Sequence, residues 1–335
     1  MKSLDYYWYE SSPVNWLLLP LSAFYRLVIG IRRLLYKFKI KKSISVDVPV
    51  IVIGNIVAGG SGKTPLLISL CEYARKKGFV PGVVSRGYGG NFTGLKQVTN
   101  TDDAILVGDE PLMIHQKIDV PVVVGSDRVA AINLLLKENS CDVVFSDDGL
   151  QHYRMSRDFE IAVVDASRQF GNGFCLPAGP LREPISRLSE VDLIIYNATG
   201  VSSTEPYFYS LQFSNAEPLN GGESKLLSSF EQKTVHAMAG IGNPTRFFNQ
   251  LREKGIAVIE HAFSDHHQYI LDDFVGWQKD CIIMTEKDAI KCSGLPLPDA
   301  WVVNANAHMS PALEVQLDNL LLPVMSRQMS HEKKS

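Results

Sequence analysis

Between residues 48 and 197 short, almost wholly apolar runs recur, each ending in small or acidic residues. They are VPVIVIGNI (48–56), VPGVVSRG (80–87), VPVVVGSD (120–127), CDVVFSDD (141–148), EIAVVDA (160–166) and VDLIIYN (191–197). Runs this short, rich in valine and isoleucine, predict strands buried on both faces. Helical spacing separates several of them, notably over 64–77 and 128–138, and that alternation predicts a mostly parallel sheet with helices on both sides. From about 200 to 232 the pattern loosens into Ser, Gly, Asn and Pro, with YFYSLQF as a predicted strand. A second alternating series follows: strands at 234–242, 256–263, 281–288 and 300–306, with helices near 245–253 and 268–278. The expected organisation is an N-terminal helix (1–45), a core domain (46–205), a linker (206–232) and a smaller α/β domain (233–325), with a polar tail from Met325.

The first segment has a different pattern. On a helix of roughly 100° per residue, Phe24, Leu27, Val28, Ile31, Leu34, Leu35 and Phe38 share one arc. Arg26, Arg33, Lys37 and Lys41 fall beside it, and Arg32 and Lys39 flank the other edge. No Asp or Glu occurs from Ser11 to Val46. This layout predicts an amphipathic helix in an anionic membrane interface, its basic side chains reaching the head groups. Pro20 and Arg26 interrupt the apolar run well short of the ~20 residues needed to span a bilayer. The basic residues follow that run, which argues against a signal peptide. The competing reading is a helix packed on the protein's own core with solvated charges.

Composition removes several classes. The chain has 335 residues with 45% hydrophobic content, room for one large core or two moderate ones. A net charge of -3, from 33 basic and 36 acidic residues, gives no reason to expect nucleic acid as a partner. Five widely spread cysteines without CxxC spacing match neither a disulfide framework nor a zinc site.

Chemistry is suggested first by GNIVAGGSGKTP (54–65). Measured against G-x-x-x-x-G-K-[ST] the match lacks its first glycine, because residue 57 is valine. Gly59, Gly60, Ser61 and Gly62 nevertheless stand between a strand and a helix, where backbone N–H groups converge on an anion. Lys63 is then placed to meet the β/γ-phosphates of ATP and Thr64 to ligate Mg2+, and Pro65 is tolerated in the first helical turn. Asp147 and Asp148 end an apolar strand, where a nucleotide-binding sheet carries its magnesium carboxylate.

Together with the motifs SRGYGG (85–90), VGDEP (107–111), DDGLQH (147–152), PAGPLREP (177–184), FSDHHQY (263–269) and TEKDAIK (285–291), taken in this order, the chain resembles the tetraacyldisaccharide 4′-kinases, the lipid A kinases of Gram-negative bacteria. The resemblance runs through nearly the whole chain, and the family shares the atypical phosphate loop. It implies a P-loop NTPase-like α/β fold and ATP-dependent phosphorylation of the 4′-hydroxyl of an acylated glucosamine disaccharide. The implied location is the cytoplasmic face of the inner membrane; no obligate protein partner is inferred. It also implies Asp109 as proton acceptor and His266, chosen over His267, as the histidine that tunes it. Without the resemblance, Asp109 reads as a helix N-cap. Arg128 and Arg182 are candidates for neutralising phosphate, Glu110 for the metal, and Tyr88, Gln151, His152 and Glu183 for the sugar acceptor; each is also a candidate structural hydrogen-bonding residue. Lys287 and Asp288 are read as a possible local ion pair. Two other classes compete: a membrane-localised ATPase switch of the ParA and MinD type, whose signature lysine is replaced here by Ala58, and a nucleotide-sensing scaffold.

Overall fold

The structure, a computed structural model, describes residues 4–9 and 13–326. In the first half, strands β1 (Val50–Gly54), β2 (Pro81–Ser85), β3 (Leu95–Gln97), β4 (Val122–Gly125), β5 (Val143–Asp147), β6 (Phe159–Asp165) and β7 (Leu193–Asn197) form one side of a sheet. Strands β1, β2, β4, β5 and β6 are buried at every position, as their unbroken apolar runs require. All pair in parallel except the short edge strand β3, which runs antiparallel to β4.

The second half adds β8 (Phe208–Pro218), β9 (Lys225–Leu226), β10 (Thr234–Ala239), β11 (Ala257–Ala262), β12 (Ile282–Thr285) and β13 (Ala300–Met309). The full order is β11-β10-β12-β13-β8-β7-β6-β1-β5-β2-β4-β3, with β9 beside β8, so one sheet runs through both halves. Within 206–232, Phe208–Pro218 and Lys225–Leu226 are strands of this sheet, the first taking in most of the strand expected at YFYSLQF. Only Tyr209, Phe213 and Ala216 of β8 are buried, so the strand carries no continuous apolar run.

Helices cover both faces. In the N-terminal region are α1 (Leu4–Tyr9), α2 (Pro13–Leu17) and α3 (Leu19–Lys37); α4 (Lys63–Lys76), α5 (Ala104–Val107), α6 (Asp109–Ile118) and α7 (Arg128–Glu138) belong to the first half. Then come α8 (Pro244–Glu253), α9 (Glu286–Cys292) and α10 (Pro311–Met325). Helix α10 is not among the expected elements. Ser310 caps it by accepting from Leu313 N–H, and Leu313, Leu317 and Leu321 join the core beside Leu66 and Leu70 of α4. The C-terminal segment thus returns to the first half. The α-helix expected near 268–278 is absent, and a single 3₁₀ turn at Leu271–Phe274 stands there. Tyr269, Phe274 and Trp277 pack inward all the same, and Gly276, at φ of +93°, breaks any helical backbone before Trp277.

Helix α3 lies on the first half through Ser22, whose hydroxyl donates to Cys175 O and accepts from Ala178 N–H, and through Tyr25, which donates to Arg182 O. Arg33 turns inward to Glu190 at 2.6 Å, and Arg32 donates to Gln151 O. The opposite face is open: Phe24, Leu27, Val28, Ile31 and Leu34 are each about half exposed or more. The helix ends at Lys37, so Lys41 and Lys42 extend beyond it. Among the described residues no helix is long and apolar enough to cross a membrane.

Candidate active site

The loop between β1 and α4 takes its shape from groups far away in sequence. Gly59 and Gly62 adopt φ of +98° and +82°, conformations that disfavour a side chain. Tyr209 at the start of β8 donates its phenol to Gly62 O at 2.6 Å, Asn197 at the end of β7 donates to Ser61 O at 3.2 Å, and Asn55 donates to Ser61 Oγ. Sequence reasoning missed Asn55, Asn197 and Tyr209, because nothing in strands β7 and β8 signals that they meet this loop. The loop opens onto a cleft lined by the polar Lys63, Thr64, Glu110, Asp265 and Lys287 and by the apolar Leu211, Phe213, Phe247, Val303 and Ala305. Two contacts draw its sides together: Arg246 on α8 meets Asp165 at the end of β6 at 2.5 Å, and Arg168 donates to Gly242 O.

Strands β1, β2 and β5 are neighbours, so Asp147 and Asp148 emerge beside the loop. Asp148 lies 3.3 Å from Lys63 Nζ and 2.7 Å from Arg182. Burial works against its charge, yet these two cations hold its carboxyl well below the usual range. Asp147 is enclosed: Oδ2 accepts from Ser85, and Oδ1 is buried with no hydrogen-bond partner. Burial and the Glu110 carboxylate push its pKa up to about 6, against the pull of Lys63. A buried carboxylate oxygen without a donor, beside a glycine-rich loop at a helix N-terminus, fits a cation. Among the described residues no cluster of three or more His, Cys, Asp or Glu holds a metal alone. Mg2+ fits this donor set as an ion shared with nucleotide phosphates, through Thr64, Asp147 and Asp148, with Glu110 nearby.

The second half delivers His266. It sits in the loop after β11 with φ of +61°, and its Nδ1 lies 3.0 and 3.1 Å from the two oxygens of Asp109 at the start of α6. The hydrogen bond to Asp109 raises the His266 pKa despite burial. Burial also opposes the Asp109 charge, but His266, Lys287 and Lys291 outweigh it and hold the carboxyl below its usual range. Lys287 reaches Glu110 at 2.8 Å, Asp265 at 2.9 Å and Asp109 at 3.8 Å. The local Lys287–Asp288 pair expected from the sequence does not form: the two point apart, and Asp288 pairs with Lys291 and accepts from Gly240, Tyr269 and Thr285. His267 faces Asp273 instead, at 2.9 Å.

The remaining residues divide by exposure. Tyr88 is open to solvent and meets the His266 ring edge-on at 5.0 Å. Arg128 is buried at the carboxyl ends of β4 and β5, donating to Gly125 O and Asp147 O with its Nε unpartnered; burial brings its pKa down to about 10. Burial and the nearby Arg128 and Arg86 push the His152 pKa down to about 4. Glu183 is buried, its oxygens taken by Tyr153 and Gln151 and flanked by Arg33 and Arg187. Gln151 reaches back to Asn55 O, tying this scaffold to the phosphate loop. All five cysteines are unpaired.

The sequence model of the family described as tetraacyldisaccharide-1-P 4'-kinase matches residues 14–322. A tetraacyldisaccharide 4'-kinase of Nitrosococcus oceani is 41% identical over 327 residues, covering 97% of this chain and 96% of the relative. One from a Shewanella species is 44% identical over 322 residues, covering 95% of each. Among solved structures, the "apo" form of LpxK from Aquifex aeolicus in complex with ATP superposes with a TM-score of 0.77 at 27% identity, over 93% of this chain and 99% of that one. The chain belongs to the tetraacyldisaccharide 4'-kinase family.

Proposed function

We propose that the protein transfers the γ-phosphoryl group of ATP to the 4′-hydroxyl of a tetraacylated glucosamine disaccharide 1-phosphate, a step of lipid A biosynthesis. The observation that carries this reading is the hydrogen-bonded Asp109–His266 pair, whose neighbours Glu110, Asp265 and Lys287 line the same cleft as the phosphate loop. Phosphoryl transfer to an alcohol needs a held phosphate, compensation of its charge and a proton acceptor at the attacking oxygen. In this reading the loop amides and Lys63 hold the phosphates, and Arg128 and Arg182 add positive charge at the strand ends. Bound Mg2+ supplies charge neutralisation on the phosphate oxygens. Asp109 takes the proton of the sugar hydroxyl; His266 keeps the carboxylate ionised and aimed. Tyr88, beside His266, and Gln151 and His152 near the loop are the surfaces left for the sugar.

The substrate class gives the exposed face of α3 a purpose. Its apolar side chains enter the acyl boundary of the inner membrane's cytoplasmic leaflet, and Arg26, Lys37, Lys39, Lys41 and Lys42 meet anionic head groups, each worth about 1 kcal/mol. The smaller α/β half, from about residue 233, brings His266 to this site.

The test is incubation with ATP, Mg2+ and the disaccharide lipid, with mass analysis of the lipid. A gain of one phosphate by wild type, lost in Asp109→Asn, is expected. Free phosphate without lipid phosphorylation would indicate a switch ATPase, and neither product a scaffold.

A further inference from the structure

Lys287 lines the cleft and bridges the two segments that carry the proton-accepting pair. It projects from the first turn of α9, is 12% exposed, and its ammonium stands among Glu110 and Asp109 on α6 and Asp265 in the loop after β11. Asp265 immediately precedes His266, and its Oδ1 accepts both Lys287 Nζ and the His266 backbone N–H.

We propose that Lys287 is a positioning residue for phosphoryl transfer: it fastens Asp265 to the start of α6 and thereby seats His266 on Asp109. The proposal rests on the reading of Asp109 and His266 as the proton-accepting pair.

Three features make such a fastener necessary. His266 holds a left-handed backbone conformation, uncommon for a residue with a side chain, so the loop must be held from outside. Gly89, where a Cβ would stand 3.1 Å from His266 Nδ1, and the edge of Tyr88 border the imidazole ring, whereas the backbone N–H of His266 is tied through Asp265, the residue that Lys287 holds. Finally, Asp109, Glu110 and Asp265 converge as three carboxylates. Without Lys287 their repulsion drives Asp265, and His266 with it, away from α6. Lys291, one turn further along α9, cannot substitute: it is fully buried, 3.2 Å from Asp288 and 3.9 Å from Asp109, and does not reach Asp265.

The experiment uses the full chain with ATP, Mg2+ and saturating disaccharide lipid. Lys287→Met, which keeps the length and removes the charge, is expected to lower kcat by ~10²-fold, the scale of an ångström-sized misplacement, while KM for ATP stays within about threefold. Lys287→Arg should recover most of the lost kcat. In a His266→Ala background, Lys287→Met should cause no further loss, because it acts through the histidine. Wild-type kcat in folded Lys287→Met, or a loss that adds in full to that of His266→Ala, overturns the proposal. So does a large rise in KM for ATP at unchanged kcat, which would make Lys287 a phosphate ligand. If Lys287→Met fails to fold, Asp265→Asn carries the same test from the more exposed end of the contact, and unchanged kcat there overturns it. Full activity in His266→Ala refutes the pair itself; an inactive His266→Ala beside a fully active Lys287→Met overturns only the positioning role.

Discussion

Gly62→Ala should damage nucleotide binding far more than Gly59→Ala, although both glycines have left-handed backbones in the same loop. At Gly59 a Cβ meets nothing within 4 Å, so the cost is conformational alone, about 1–2 kcal/mol. At Gly62 the same strain applies, and the new Cβ collides with Asn197 Nδ2 and comes within 2.7 Å of Tyr209 OH. Those are the two groups that donate to Ser61 O and Gly62 O. Displacing them loses two hydrogen bonds worth about 1 kcal/mol each, for a total of ~3–4 kcal/mol. The empty loop can relax to escape this cost, but the phosphate-bound shape cannot, so the penalty appears in affinity. At about 1.4 kcal/mol per tenfold, ATP binding should weaken by ~10²–10³-fold in Gly62→Ala and ~10-fold in Gly59→Ala. Titration calorimetry with ATP, beside melting curves to establish folding, measures both. Equal affinities in the two variants would refute the idea that Asn197 and Tyr209 shape the loop.

Other expectations follow from the same geometry. Asp147→Asn and Asp148→Asn should each raise the Mg2+ concentration needed for half-maximal turnover, measured by titrating the metal at fixed ATP; unchanged curves for both would remove the pair from the metal site. Asp165 is held below the usual carboxylate range, burial opposing and Arg246 outweighing it, so its ion pair stabilises the fold above an ordinary carboxylate pKa of about 3.9 and that contribution is lost as pH falls below it. The melting-temperature gap between wild type and Arg246→Met should therefore be constant from neutral pH to about 5 and shrink in stronger acid; a gap that widens in acid contradicts the assignment. Replacing Phe24, Leu27, Val28 and Ile31 with Ser should leave melting unchanged but reduce flotation with anionic vesicles. Changing Lys37, Lys39, Lys41 and Lys42 to Gln should flatten the salt dependence of that binding, since exposed charges are screened over about 8 Å at physiological salt. Undiminished flotation of the serine variant would return α3 to a purely structural role.

What was legible in the sequence followed from local pattern. The strands of the first half announced themselves because burial on both faces demands continuous apolar runs, and the phosphate loop because strand, glycines and helix are contiguous. Strand β8 was partly hidden, since only three of its positions are buried. Helix α10 escaped notice because its partners on α4 lie some 245 residues earlier, as the Tyr73–Asp318 hydrogen bond measures. The same separation concealed the site's supports. Arg33 looked like one more basic residue on an amphipathic helix, yet its partner Glu190 is 157 residues away. Glu183 in LREP looked available for the sugar, but Tyr153, Gln151 and two arginines converge on it only in three dimensions. Asp109 and His266 are also 157 residues apart, and only the family resemblance suggested that they meet.

The two halves of the sheet are joined by a narrow seam. Strand β8 runs antiparallel to β13 for most of its length but pairs with β7 only at Tyr196–Phe208 and Asn197–Tyr209. The second of those pairs consists of the two residues that grip the phosphate loop through Ser61 and Gly62. The seam of the sheet and the handle of the nucleotide loop therefore share one residue pair. Asn197 and Tyr209 thus join the strands with their backbones and hold the loop with their side chains, so a substitution that shifts either strand end reaches the loop carbonyls directly.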